Sequence, residues 1–425
     1  MAGSGVSVAD YGRLIRGNRN FRLLWIAQIV SELGDWFYSV AIFGFLLQVA
    51  GTAQSIAFVL VLQVLPQFFA APTAGVVSDR MRRKGVMIFA DCMRAAIVLA
   101  MVLVRARDGV WLLYCLLFLE TVMLALFEPA RSAVVPNIAK GPDVLVANAL
   151  SSSTWSFNFA VGAGLGGFVA AVFGRDSVFV IDSVSFVLSA LLISRMKFDE
   201  PHAEGLPPMR FRDLADFTPI LDGVRYVLRD IRLAVTMFVK TGLSFVGTNW
   251  VILPIMGERL FPVHFPGFTA QQASTMGMSI LLSSRGAGAL AGALATSSFA
   301  GGSKPRLRFA ILAGFVLEGL GYLSLGAAPN IWMACASLIV AHAGGSIIWT
   351  ASTTLLMDMT DDRFRGRVFS AEFAFSMATL AAVSYAGGIL VDHGWTVREL
   401  AFATGLFVML PGLAWAAAMR LWRTS

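Results

Sequence analysis

The sequence is short of charge, cysteine and histidine. Only 14% of its 425 residues are Asp, Glu, Lys or Arg, and it holds three Cys and four His. A soluble domain carries roughly 25% charged residues, so a water-soluble enzyme is excluded first. Cys92, Cys115 and Cys335 all fall inside apolar runs, which leaves no disulfide framework and no Cys-rich metal site. No H-E-x-x-H, no phosphate-binding Gly-rich loop and no Cys/His cluster occurs, so catalysis within the membrane and ATP-driven pumping have no residues to carry them, and no cofactor is expected. No removable leader is expected either, because the first apolar run is long enough to be a span itself. What the chain has instead is apolar length: 57% hydrophobic residues and a mean hydropathy of +0.73.

A spanning helix takes about 20 predominantly apolar residues. Runs of that length lie near 21–49, 54–78, 85–104, 110–128, 148–172, 177–195, 233–256, 274–299, 308–328, 331–356, 370–391 and 399–419. They predict an all-α membrane protein with twelve transmembrane helices. Pro66, Pro72 and Pro254 fall within runs, where neighbouring helices tolerate them as bends. Lys and Arg cluster before the first run, in every second connection and at the C-terminus, as in Arg80, Arg82, Arg83 and Lys84 or Lys304, Arg306 and Arg308. Basic residues accumulate in cytoplasmic loops, which predicts that both termini are cytoplasmic. A basic face against anionic lipid accounts for the net charge of +7 without a nucleic-acid partner. Six runs precede and six follow a polar stretch with Pro201, Pro207 and Pro208 and a helical spacing of apolar residues from Leu214 to Leu228. The expected organisation is a six-helix bundle over 1–195, a cytoplasmic linker with an amphipathic interfacial helix over 196–232, and a second six-helix bundle over 233–425.

The most specific local pattern is Gly75-Val76-Val77-Ser78-Asp79-Arg80-Met81-Arg82-Arg83-Lys84. It resembles the G-x-x-x-D-R-x-G-R-R/K signature between helices 2 and 3 of the major facilitator superfamily, with Arg82 where the family has Gly. Glu128-Pro129-Ala130-Arg131-Ser132-Ala133-Val134-Val135-Pro136 and Arg363-Phe364-Arg365-Gly366-Arg367 are similar to loops 4–5 and 10–11 of its bacterial efflux branch, which includes siderophore (enterobactin-type) and macrolide exporters. The resemblance implies the major facilitator fold and a cytoplasmic gating motif formed by Gly75, Asp79, Arg80, Arg83, Lys84, Glu128 and Arg131. In that family Asp79 would face the positive N-terminus of helix 11 and latch the two halves on the inner side. Arg83 is expected to bridge to Glu128. Gly162, Gly166 and Gly167 in helix 5, and Gly288 with Gly292 in helix 8, have the small-residue spacing that lets helices approach closely. The family's exporters carry Pro in the helix 5 motif, where Ala163 stands here.

An ionisable residue at mid-membrane costs about 2.5–3.5 kcal/mol on the insertion scale and is a functional candidate by default. Glu32 and Asp35, three apart on one face of helix 1, are the candidates for proton coupling. Glu120, Lys240 and Arg285, with the neighbouring Phe37, Asn249 and Trp250, are the candidates for a substrate cavity. Glu318 is read as structural and His342 as a pH-sensor candidate. Asp91 and Arg94 are expected to satisfy each other, and Asp182 is read as shallow. The predicted function is secondary transport: export of an amphipathic small molecule in exchange for protons, with the proton gradient as driving force, by a monomer in the bacterial inner membrane. An uncoupled facilitator or lipid flippase of the same fold is the alternative, and a non-transporting receptor stands further off.

Overall fold

The computed structural model describes residues 8–200, 218–300 and 303–422. A few further side chains, those of Gly75 and Asp79 among them, lie outside the described set. The described chain is helical throughout. After a short amphipathic helix, α1 (Val8–Gly17), come α2 (Arg19–Val49), α3 (Ala53–Arg80), α4 (Arg83–Ala100), α5 (Val110–Ile138), α6 (Pro142–Phe173) and α7 (Arg175–Ser194). The linker helix α8 (Thr218–Val227) follows, then a segmented α9 (Ile231–Leu260), α10 (Ala270–Ala300), α11 (Lys304–Ala327), α12 (Ile331–Met359), α13 (Asp362–Asp392) and α14 (Val397–Ala418). Eleven of these are long and apolar enough to cross a membrane among the described residues. The remaining expected span falls on α3, 28 residues long, whose apolar stretch Ala53–Gln67 is described throughout. Helices are the expected solution because a chain in hydrocarbon must satisfy its backbone groups internally.

Helix ends run further than the apolar runs. α5 continues through Pro129 and Pro136 to Ile138, and α6 begins at Pro142, directly after Gly141, whose φ of 58° suits glycine. The sequence expected a connection from about residue 129 to 147. The helix persists because polar ends outside hydrocarbon still gain from continued backbone bonding, and Arg131 and Glu128 pair one turn apart at 2.8 Å on its surface. α9 is broken differently. It tightens into a 3₁₀ stretch over Ser244–Thr248, resumes at Asn249–Ile255 around Pro254, and ends in a wide π turn over Met256–Leu260. Such departures in mid-helix often mark functional positions.

The helices form two compact units. One comprises residues 1–41 and 66–216, and the other 42–65 and 217–425. The hairpin joining α2 to α3 thus packs with the second unit, although the sequence places it in the first half. Leu60 and Val64 bury against Ala381 of α13, Phe43 meets Trp250 at 5.9 Å between ring centroids, and Phe58 meets Tyr385 at 6.4 Å. In the expected linker, 201–217 lie outside the described residues. The helix that follows packs onto α13: Tyr226 stacks on Phe364 at 4.3 Å, and Val227 joins Leu233, Met237, Leu356 and Val368 in a buried cluster.

Small residues set the closest helix contacts. At Gly166 a Cβ would sit 2.5 Å from Phe37 Cα, and at Gly162 it would sit 2.8 Å from Trp36 Cβ, so α6 lies directly against α2. Gly288 and Gly292 of α10 are as tight against the Ile339 and Ala343 carbonyls of α12, and Gly167 is buried on α6. Backbones at this distance gain dispersion contact that larger residues would prevent.

Candidate functional site

Within the first unit, three helices converge on one cation. Arg94 of α4 is buried, with 2% of its side chain exposed, and two carboxylates bind it. Its Nη2 donates to Asp35 Oδ1 of α2 at 2.6 Å and its Nε to Glu120 Oε1 of α5 at 2.8 Å. Tyr38 Oη donates to Glu120 Oε2 at 3.3 Å, and the Phe186 ring of α7 lies 4.0 Å from the guanidinium carbon. The expected Asp91–Arg94 pair does not form: Asp91 Oδ2 accepts from Ser189 Oγ at 2.6 Å instead. The side chain of Arg94 reaches across to acids on two neighbouring helices, a choice that spacing along α4 alone does not reveal.

Exposure separates the two acids. Glu120 is 2% exposed, whereas 26% of the Asp35 side chain is open. Asp35 is therefore the member of this trio whose side chain keeps open surface. Glu32, expected to act with Asp35 as a pair, has different partners: its oxygens accept from Gln28 Nε2 at 2.8 Å and Asn158 Nδ2 at 3.1 Å. Two neutral amides hold it, and Trp36 stacks on Phe159 at 4.1 Å beside it. Asp182, read from the sequence as near the outer face, is fully buried, and its carboxylate occupies the space that a Cβ at Gly34, near the middle of α2, would need.

The second unit holds its own ion pair. Lys240 Nζ, on the broken α9, donates to Glu372 Oε2 of α13 at 2.8 Å, with both side chains at most 5% exposed, and it lies 4.2 Å from the Trp349 ring centroid. Glu372 was not singled out from the sequence. The signal was there in charge balance, since a lysine at mid-span needs an acid and the run 370–391 offers one near the matching depth. Arg285 lies over the Trp250 ring at 4.2 Å, beside a buried group in which Tyr322 Oη and His342 Nε2 are 3.1 Å apart. Glu318 is fully buried there, and neither of its oxygens has a hydrogen-bond partner among the described residues. Asn249 is buried, with its Nδ2 donating to the Val246 carbonyl at 2.6 Å. Phe37, in the first unit, is also buried and packs against Gly166.

Of the gating motif, Gly75 and Asp79 stand on α3 with side chains outside the described residues. Arg80 ends that helix. Arg83 begins α4 and donates to the Ala133 carbonyl at 2.9 Å and the Ser78 carbonyl at 3.2 Å, and Lys84 Nζ donates to the Met196 carbonyl at 2.7 Å. These bonds tie the α3–α4 turn to α5 and to the end of α7. Glu128 is engaged by Arg131 rather than by Arg83.

A sequence profile described as transmembrane secretion effector, of the major facilitator superfamily, matches residues 16–424. The chain belongs to that family. Its members are membrane transporters and not enzymes. The chain is 26% identical to YfiS, an uncharacterised transporter of this superfamily from Bacillus subtilis, over 94% of its own length and 93% of that protein's. It is 24% identical to macrolide efflux protein A of Streptococcus pyogenes over 88% of its length and 91% of that protein's. Its fold matches the crystal structure of a POT peptide transporter in complex with alafosfalin, with a TM-score of 0.75 at 11% identity, covering 96% of this chain and 95% of that one. The protein is thus a multi-pass membrane transporter with an all-helical fold of the major facilitator kind and eleven candidate spans among the described residues.

Proposed function

We propose that this chain exports an amphipathic small molecule in exchange for protons, by alternating access between two six-helix halves, 1–195 and 233–425, joined by the linker 196–232. Twelve spans, both termini in the cytoplasm and a monomeric unit belong to this reading. One observation carries it: Asp35, partly open, shares a buried arginine with an acid that is closed off. Removing the charge on Asp35 would leave Arg94 to Glu120 alone, so proton or ligand binding at Asp35 changes what holds α2 to α4. A two-state packing biased in this way is the usual means by which a bound charge moves helices. Glu32, one turn away, is the second proton-coupling residue in this reading. Support for efflux comes from the similarity to a macrolide efflux protein over most of both chains.

For the substrate, Trp250 and Arg285 are the partly open ones among the candidates of the second unit, where Lys240 and Asn249 are buried. They are proposed to meet it directly, and Phe37, Glu120, Lys240 and Asn249 are proposed as further substrate-cavity residues. Asp79, Arg80, Arg83, Lys84, Glu128, Arg131 and Gly75 are proposed as the inner gate. The uncoupled facilitator or flippase reading is favoured by one feature, Ala163 at the position where the resembling exporters carry Pro. Purified protein in weakly buffered detergent with a pH dye separates the two. Adding a macrolide is expected to release protons from the wild type and not from Asp35→Asn. Saturable macrolide binding with no proton release from the wild type would favour the uncoupled reading.

A further inference from the structure

The N-terminus of α3 is capped from another helix. Its own cap, Thr52, serves the third donor, with Thr52 Oγ1 3.4 Å from Ser55 N. The first two donors are left to Asp392, the last residue of α13: Ala53 N donates to Asp392 Oδ1 at 2.8 Å and Gln54 N to Asp392 Oδ2 at 3.0 Å. Both carboxylate oxygens are used, on adjacent amides, at the positive end of a 28-residue helix. One turn below, Gly388 brings the two helices into contact; a Cβ there would stand 2.9 Å from Ala57 Cβ and 3.1 Å from the Ala53 carbonyl. Leu60, Val64 and Ala381 extend the seam. A bidentate carboxylate over a glycine-tight crossing is a defined joint with few alternative geometries. It explains why residues 42–65 pack with the second unit.

We infer that Asp392 is the outer latch of the transport cycle, the counterpart of the inner latch expected at Asp79. The two devices share a plan. Asp79 lies in the last turn of α3, and the resemblance has it facing the start of α13. Asp392 ends α13 and caps the start of α3. If Asp79 acts as the resemblance implies, the same two helices are fastened at opposite ends, each by an acid near its own C-terminal end; the Asp392 end is the one whose hydrogen bonds are described. A substrate can leave outward only when the Asp392 joint opens, and it can enter from inside only when the Asp79 joint opens. Asp392 is a positioning residue, and it does not touch the substrate. The inference rests on the alternating-access reading above and on cytoplasmic termini.

The test uses a single cysteine at Leu60, buried against Ala381, in a full-length protein free of Cys92, Cys115 and Cys335. An impermeant maleimide is applied from outside to right-side-out vesicles. Asp392→Ala is expected to raise the Leu60→Cys labelling rate about five- to tenfold, the effect of losing charge-assisted capping at a helix N-terminus. Asp392→Asn, which keeps one acceptor, is expected to fall between. Asp79→Asn is expected to lower labelling, and the Asp79→Asn, Asp392→Ala double variant to return toward the parent rate. That return separates a shifted balance from a loosened fold, because unfolding would raise labelling in every background. Unchanged labelling in Asp392→Ala, with Asp79→Asn still lowering it, would overturn the latch and leave alternating access standing. If neither variant moved the rate, the alternating-access reading would itself fail.

Discussion

Among single residues, the buried charge of Arg94 is shared rather than paired one to one. Arg94 holds two carboxylates, so removing it strands both in a low-dielectric interior, while removing one acid leaves the other in place. Arg94→Gln is therefore expected to destabilise the protein by about 3–5 kcal/mol, read as a lowered unfolding temperature in detergent, with Asp35→Asn costing much less. Equal losses in the two variants would mean that Arg94 does not bridge the acids. Lys240 and Glu372 behave as a closed pair, and Lys240→Met combined with Glu372→Leu is expected to be milder than Lys240→Met alone, because the double change leaves no orphan charge. Apart from Glu372, these ionisable residues were legible in the sequence, since each interrupts an apolar run. Their partners were not. Asp35 and Arg94 are 59 residues apart and Lys240 and Glu372 are 132 apart, and periodicity along one helix is silent about which neighbour it meets. Asp91 illustrates the failure: it is the nearer acid in sequence, and the structure gives it to Ser189.

Among the elements, the apolar runs located the helices because hydrocarbon thickness enforces a minimum length that composition cannot disguise. Their ends were less visible. α5 and α6 carry polar turns beyond the apolar core, through Pro129 and Pro136 in one case, because a helix leaving the hydrocarbon has no reason to stop there. The breaks in α9 were visible only as Pro254. The glycine positions, in contrast, were readable by spacing and meet their partners closely: Gly166 with Phe37, and Gly292 with Ala343. Gly166→Val is expected to force α6 from α2 at a cost of about 1–3 kcal/mol, with a matching fall in unfolding temperature. Valine at Gly12, which has open space around it, is expected to leave that temperature near the wild-type value. A Gly166→Val protein as stable as the parent would show that the α2–α6 contact is not tight.

For the whole molecule, family and fold agree along nearly the full chain. The division of α2 and α3 between units was beyond the sequence, because it depends on Asp392, Gly388 and Ala381, all more than 300 residues from the hairpin they grip. Under the proposed coupling, proton and substrate compete through Asp35. The most direct measurement is macrolide transport in proteoliposomes under an imposed proton gradient, with internal pH followed at the same time. Wild-type protein is expected to move macrolide against its gradient while protons flow the other way, and Asp35→Asn to lose both movements while retaining macrolide binding. Macrolide movement at the same rate with and without the gradient, and undiminished in Asp35→Asn, would contradict it.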